Sequence, residues 1–252
     1  MTILQSLLLL SAGFVGGILT TVAGGASFVI FPTLIFVGLT PLVANTTNFV
    51  ALIFAPPMAL ATSYRGELMA IGRGLVPSLI SGVAGGATGA VLLLWTGETA
   101  FARAVPYLMG VATAMFAMGP AVRGLVAARR RVPLQANSVA CQGLIFLLSI
   151  YAGYFGAGVG MMLLGVLAIF GYDDIHKANA VKNAVIGLAA SVATAIYGFS
   201  GPVAWPQALA LMAGALAGAY VGGIIAKRAP QRLLRLALII LGASFTFYLF
   251  WR

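Results

Sequence analysis

Few residues of this apolar chain could take part in chemistry, and the most distinctive of them is Lys182. Asn179 lies three positions before it and Asn183 directly after it, so we expect all three side chains on one face of a helix. A lysine inside a membrane-spanning helix costs about 2.5–3.5 kcal/mol or more, which favours a functional reason for it. We predict that Lys182 supplies positive charge to an anionic substrate. The alternative is a lysine that extends its amine to the membrane surface.

The first half of the chain carries a matching polar stripe without a charge. Asn48 occupies the position that corresponds to Lys182, and Thr46 and Thr47 directly precede it. Hydroxyl and amide groups can donate hydrogen bonds to an anion. We therefore expect Thr46, Thr47 and Asn48 to face the same substrate as the stripe around Lys182, from a second helix.

Two glycine-rich breaks each open a short apolar segment. A helix begins with free backbone N–H groups and a partial positive charge, and together these favour an anion. Non-helical backbone inside a membrane is tolerated only when it is buried in protein or faces a water-filled cavity. Glycines that merely let helices pack closely are the alternative. The substrate-binding residues expected from the two breaks are Gly24, Gly25, Ala26 and Ser27, and Gly156, Ala157 and Gly158.

The elements that must position these residues are apolar helices. The chain is 62% hydrophobic and 7% charged, whereas a soluble domain carries about 25% charged residues. We predict an all-α, polytopic membrane protein. Eight segments are long enough to cross a bilayer, which takes about 20 residues, and the two short ones, 26–38 and 158–170, are predicted to be broken or re-entrant helices. The ten segments are 3–22, 26–38, 42–62, 74–94, 104–121, 134–153, 158–170, 177–197, 204–226 and 233–251.

A nearly constant offset of 132 to 134 residues relates the two halves of the chain. Five segments form each half, and because five is odd, the second copy must lie upside down relative to the first. Inverted repeats with broken helices are typical of secondary transporters. The predicted domains are an N-terminal membrane repeat at 1–122, a basic cytoplasmic linker at 123–133 and a C-terminal membrane repeat at 134–252. Matched pairs include Gly24 and Gly156, Gly38 and Gly171, Asn45 and Asn179, Gly82 and Gly214, Gly86 and Gly218, and Gly110 and Gly242.

The distribution of basic residues predicts the orientation. With ten segments, eleven Lys and Arg residues fall on one side, among them Arg129, Arg130 and Arg131, and two on the other. Basic loops stay in the cytoplasm, so we predict a multi-pass inner (plasma) membrane protein with both termini outside the cytoplasm. Tyr64 and Tyr197, at the ends of their segments, are expected to anchor at the membrane surface.

Several motifs recur along the chain. The first half carries Ala23 to Ser27, then Phe31-Pro32-Thr33-Leu34, Gly38-Leu39-Thr40-Pro41 and Ala44-Asn45-Thr46-Thr47-Asn48. The second half carries Gly156 to Gly160 and Ala178-Asn179-Ala180-Val181-Lys182-Asn183. These motifs resemble those of the sulfite exporter TauE/SafE family. The resemblance spans essentially the whole chain, and it implies a membrane transporter for sulfite, sulfoacetate or other small organosulfur anions. One departure is that Leu164 stands in the second copy where the first has Pro32.

Composition argues against other classes of protein. The chain has one cysteine, one histidine and four acids, and the four acids all fall in predicted loops. These residues supply no catalytic nucleophile–base pair and no metal site, so we expect neither an enzyme nor a cofactor. The basic residues that give the net charge of +10 lie in short breaks between apolar segments. They do not form a polar face with aromatic residues, which argues against nucleic acid as a partner. The expected partners are a small anionic substrate and membrane lipid, and a homo-oligomer is left open.

These observations predict a secondary transporter that exports a small sulfur-containing anion, sulfite or an organosulfonate such as sulfoacetate, by alternating access. Two alternatives remain at this point. An anion channel would have the same walls without alternation. A membrane subunit that docks a soluble partner would need a larger docking surface than these short loops offer.

Overall fold

The computed structural model describes residues 2–22, 24–60, 65–129, 138–172, 174–225 and 231–251. Within these ranges all regular secondary structure is helical, and it includes a short 3-10 helix at Gly72–Leu75. The helices are α1 (Ile3–Val22), α2 (Ser27–Phe36), α3 (Pro41–Ala51), α4 (Ala55–Ala59), α5 (Arg65–Ile71), α6 (Val76–Arg129), α7 (Val139–Tyr154), α8 (Val159–Ile169), α9 (Ile175–Ser200), α10 (Trp205–Ile225) and α11 (Gln231–Trp251). This is the all-α architecture that the sequence predicts.

Five of the described helices are long and apolar enough to cross a bilayer, namely α1, α6, α9, α10 and α11. The longest, α6, has 54 residues and would measure about 80 Å if it were straight, against about 30 Å for a hydrocarbon core. It is interrupted at Gly97, where φ is 70° and ψ is 173°. The interruption separates an arm at 76–96 from an arm at 98–129, which correspond to the predicted segments 74–94 and 104–121.

The structure differs from the predicted segments in three places. Segment 42–62 is split into α3 and α4, because Pro56 and Pro57 cannot donate the backbone hydrogen bonds that would continue α3. The second arm of α6 runs on to Arg129, through much of the predicted linker at 123–133; alanine, leucine and arginine there favour a helix. Two of the acids predicted to fall in loops lie in helices, Glu67 in α5 and Glu98 in the second arm of α6. Residues 130–137 and 226–230, with many of the basic residues that predict the orientation, and Tyr64 lie outside the described residues.

Helices α1 and α2 form a sharp hairpin, and so do α7 and α8. Both hairpins turn at a glycine in the left-handed region, Gly24 with φ of 74° and Gly156 with φ of 78°. Each of these glycines donates its backbone N–H to a carbonyl five residues earlier, that of Leu19 at 2.7 Å and that of Tyr151 at 3.0 Å. A side chain with a Cβ is strained at such φ values, which explains why glycine occupies both turns.

Close glycine contacts join helices that are far apart in sequence. Helix α1 packs along α10, where Gly214 meets the backbone of Leu10 and Gly218 meets that of Phe14. The first arm of α6 packs along α7 and α9 in a similar way, with Gly86 against the backbone of Ala189. These are the packing contacts that small residues make between membrane helices.

A reciprocal contact joins the second arm of α6 to α11. Gly110 on α6 faces Thr246 on α11, and Gly242 on α11 faces Thr113 on α6. The two glycines are a matched pair at the offset that relates the halves of the chain. The division into two inverted repeats of five segments stays a prediction.

Tyr197 corrects one expectation from the sequence. It is fully buried and is not a surface anchor: its hydroxyl donates a hydrogen bond to the carbonyl of Gly153 on α7, and its ring meets the Phe49 ring edge to face, with centroids 5.2 Å apart. It therefore links α9 to α7 and α3 near the second hairpin. Its position at the end of an apolar segment gave no indication of these neighbours.

Candidate anion-binding cavity

A cavity of about 100 Å³ lies where the two hairpin turns meet helices α3 and α9. Pockets for drug-sized ligands measure about 300–1,000 Å³, so this one suits a molecule of only a few heavy atoms. Its lining comes from both halves of the chain. The lining residues are Thr20, Gly24, Ala26, Ser27, Asn48, Phe49, Leu52, Pro56, Ala152, Phe155, Gly156, Val159, Gly160, Lys182, Asn183, Ile186, Gly187 and Ala190.

Lys182 is the one ionisable residue that lines this cavity in the described part of the chain. It lies about 10 Å along α9 from the start of the helix at Ile175, and only 4% of its surface is exposed. The Nζ atom donates a hydrogen bond to Oδ1 of Asn179 at 3.0 Å. The described lining of the cavity contains no carboxylate. The cavity therefore has a buried positive charge that no negative charge of its described lining balances.

The lysine side chain extends between the two hairpins. A Cβ atom placed on Gly24, in the first turn, would lie 3.8 Å from Nζ of Lys182. A Cβ atom placed on Gly160, at the start of α8, would lie 3.5 Å from Cδ of Lys182 and 4.0 Å from the carbonyl oxygen of Gly24. Larger residues at these positions would crowd the lysine. The glycines of both hairpins thus leave room for its side chain to reach the cavity.

The beginnings of two helices border the cavity beside the lysine. Ala26 and Ser27 stand at the start of α2, and Val159 and Gly160 at the start of α8. The first N–H groups of a helix have no partner within the helix, and its first turn carries a partial positive charge. Both helix ends therefore add to the positive potential of Lys182.

Two buried asparagines complete the polar end of the cavity. Asn48 donates a hydrogen bond from Nδ2 to Oγ of Ser27 at 3.1 Å, which ties α3 to the start of α2. Its Oδ1 has no hydrogen-bond partner among the described residues. Nδ2 of Asn183 likewise has none. A buried amide without a partner is costly. Since the two ends of an amide are assigned from such contacts and can be exchanged, either side chain can present N–H groups to an anion.

Seven of the thirteen residues that the sequence predicts to bind substrate line the cavity. These are Gly24, Ala26, Ser27, Asn48, Gly156, Lys182 and Asn183. Among the other six, Asn179 acts on the cavity through its hydrogen bond to Lys182. Gly25 packs against Leu238 of α11.

The remaining four predicted residues do not line the cavity but contact the elements around it. Thr46 donates to the carbonyl of Pro202, and Thr47 accepts from the backbone N–H of Ala204 at 3.1 Å, so both tie α3 to the start of α10. The carbonyl of Ala157 accepts a hydrogen bond from the Tyr151 hydroxyl at 2.8 Å. Gly158, with φ of 73°, packs on the backbone of Ala112.

Several lining residues were not nominated from the sequence. Gly160 belongs to the same glycine-rich break as Gly156, and this was the available signal for it. Thr20 lies on α1 and adds a further hydroxyl to the described lining; its Oγ1 donates to the carbonyl of Gly16 at 3.0 Å. The apolar members, such as Phe49 and Ile186, look like any other residue of a membrane helix, so only the tertiary structure identifies them.

The other titratable groups that the structure describes do not line the cavity. Asp174 caps α9 by accepting a hydrogen bond from the His176 N–H at 2.8 Å, and the His176 side chain is exposed. Glu98 accepts hydrogen bonds from Thr40 Oγ1 at 2.7 Å and from the Leu42 N–H at 3.2 Å, at the start of α3. Among the described residues, no three of His, Cys, Asp or Glu lie close enough to share a metal ion. The geometry thus favours the binding of an anion through one cation, amides and two helix ends.

Comparison with known proteins finds relatives of this chain. The model of the sulfite exporter TauE/SafE family matches residues 9–249 of the chain. The "Probable membrane transporter protein ORF9" of Sinorhizobium sp. is 25% identical to it over 235 residues, which cover 92% of this chain and 87% of that protein. No solved structure matches the chain.

Proposed function

The chain belongs to the sulfite exporter TauE/SafE family and is a multi-pass membrane transporter; from this premise we propose that it exports a small sulfur-containing anion by alternating access. The proposed substrates are sulfite and organosulfonates such as sulfoacetate. The proposed location is the inner membrane, with both chain termini outside the cytoplasm.

The observation that carries the proposal is the buried amino group of Lys182, in a cavity whose described lining contains no carboxylate. A buried charge without a counter-charge is strongly unfavourable. An anion in the cavity would remove that cost, and the starts of α2 and α8 would add to its stabilisation. The amides of Asn48 and Asn183 would then donate to its oxygen atoms.

The two hairpins support the alternating-access part of the proposal. Gly24 and Gly156 adopt the same left-handed conformation, and each donates its N–H to the carbonyl five residues before it. Two similar hairpins that approach one cavity are what two inverted copies would supply. A membrane potential that is negative inside favours the exit of an anion by about 2.3 kcal/mol per charge per 100 mV. Export therefore needs no coupling ion in principle.

The test is the flux of sulfite and of sulfoacetate into liposomes that contain the purified protein, at a clamped potential. A carrier is expected to give saturable flux, and unlabelled substrate on the far side should accelerate the exchange of labelled substrate. Flux that rises linearly with concentration, without such exchange, would instead indicate an anion channel. Absence of flux of any small anion by the folded protein would contradict the proposal and favour a subunit that docks a soluble partner.

A further inference from the structure

The cavity is not uniform along its length. Its polar groups, among them Lys182, Asn183, Asn48 and Ser27, cluster at the hairpin turns. Farther along α9 the lining consists of Ile186, Gly187 and Ala190, about 6 to 12 Å of helical rise beyond Lys182. The described polar groups of the lining thus lie at the hairpin end, beside Ala152, Phe155 and Val159, and the part that follows is apolar.

Helices α3 and α4 continue this apolar part. Beyond Asn48 they contribute Phe49, Leu52 and Pro56 to the lining. The interruption between α3 and α4 places Pro56 against α9, where a Cβ atom on Gly187 would lie 2.9 Å from the Cβ of Pro56. Gly187 therefore allows the proline to approach closely, and this contact bounds the apolar part.

The backbone in this part has its polar groups engaged. The N–H of Leu52 donates to the carbonyls of Asn48, at 3.2 Å, and of Phe49, at 3.3 Å. The carbonyl of Phe49 also accepts a hydrogen bond from Thr194 Oγ1 at 3.1 Å. Because its side chains are apolar and these backbone groups already form hydrogen bonds, this wall has few groups that could bind an ionic or strongly hydrated group.

We propose that Leu52, Pro56, Ile186, Gly187 and Ala190 form a tail subsite that accepts the short aliphatic body of an organic anion, whose oxyanion head lies against Lys182. The inference rests on the proposed transport of a small sulfur-containing anion. Among the proposed substrates it favours organosulfonates with one charged head and an apolar body over sulfite and sulfoacetate. A second anionic group, as in sulfoacetate, would face the apolar wall without a counter-charge. An inorganic ion such as sulfite has no aliphatic body and would leave the apolar wall of the subsite without a contact. The cavity volume of about 100 Å³ limits the body to a few carbon atoms.

The proposal predicts a dependence of affinity on chain length. Burial of one methylene group improves binding by about fourfold. The dissociation constants of methane-, ethane-, propane- and butanesulfonate for the purified protein, measured by titration calorimetry, are therefore expected to fall over the first members. They should rise once the chain exceeds the subsite. Propionate, compared with ethanesulfonate, separates a carboxylate head from a sulfonate head on a body of the same length.

Two variants change the tail subsite and leave the lysine in place. Ile186→Ala removes part of the wall and should move the best chain length to a longer sulfonate. Ala190→Leu fills the space and should remove the gain in affinity from added methylenes. The matched control is Leu188→Ala, because Leu188 lies on the same helix with 37% of its surface exposed and does not line the cavity.

The results separate the tail subsite from the proposed function. If affinity in the unmodified protein is flat or falls from methanesulfonate onward, while methanesulfonate or sulfite still binds in a way that requires Lys182, the tail subsite is refuted and the transporter proposal stands. If sulfoacetate binds more tightly than propanesulfonate, the tail subsite is likewise refuted. If no anion binds, or binding is indifferent to Lys182, both proposals fail together.

Discussion

Lys182 and Gly24, residues from opposite halves of the chain, meet at the candidate site: a Cβ atom on Gly24 would lie 3.8 Å from the lysine Nζ. The glycine turns the first hairpin with φ of 74°, and among the described lining residues the lysine is the one that can carry a charge. The first hairpin and the lysine are therefore neighbours in the site. A change in either residue should disturb the site without disturbing the distant helix contacts.

Lys182→Ala should separate transport from stability. Loss of the buried charge is expected to reduce the saturable flux of the substrate about 30-fold or more. The same change removes an unbalanced buried cation, so the melting temperature in detergent without substrate should stay the same or rise. Lys177→Ala is the control, because Lys177 is exposed near the start of the same helix. Normal flux through Lys182→Ala would contradict the assigned role of the lysine.

Gly24→Ala should weaken both the fold and transport. An alanine in the left-handed conformation costs about 1–2 kcal/mol, and its Cβ would come into contact with the lysine amine. We expect a lower melting temperature and a lower flux. Gly66→Ala serves as the control, since Gly66 lies on exposed helix α5, has no positive φ, and has open space at its Cβ position. Equal effects of the two changes would show that the Gly24 turn has no special importance.

Asn48→Ala should mainly affect substrate affinity. A hydrogen bond to a charged group contributes about 1.5–3 kcal/mol, so we expect KM for the transported anion to rise about ten- to a hundredfold. Thr47→Val, one residue earlier, should instead lower the melting temperature with little change in KM, because its hydroxyl binds the backbone N–H of Ala204 and not the cavity. The opposite pattern would place the substrate on the other face of α3.

Tyr151→Phe tests how the second hairpin is held. The tyrosine hydroxyl donates to the carbonyl of Ala157 at 2.8 Å, and its loss should destabilise the turn by about 1 kcal/mol. We expect a weaker apparent affinity for the substrate with a small drop in melting temperature. Tyr107→Phe is a suitable comparison, since Tyr107 is 66% exposed and does not line the cavity. An unchanged affinity in Tyr151→Phe would show that the turn needs no such support.

Much of the candidate site could be predicted because its signals are local. A lysine within an apolar run and glycines that interrupt such runs stand out by residue type alone, and Lys182, Gly24 and Gly156 all line the cavity. The threonines show the limit of this reasoning. Thr46 and Thr47 belong to the same polar stripe as Asn48, yet both turn to the start of α10. Three consecutive helix positions point in different directions, and the sequence did not show which one faces the cavity.

The sequence by itself determined the class of the protein, the approximate course of its helices and the glycines at its hairpin turns. Hydropathy, proline and glycine act within a few residues, so they can be interpreted without a structure. Only the tertiary structure decided which helices pair, such as α1 with α10, and which apolar residues border the cavity. A helix that is apolar all round carries no amphipathic pattern to mark its buried face. The positions of Phe49, Ile186 and Tyr197 therefore depend on contacts between helices that lie far apart in the chain.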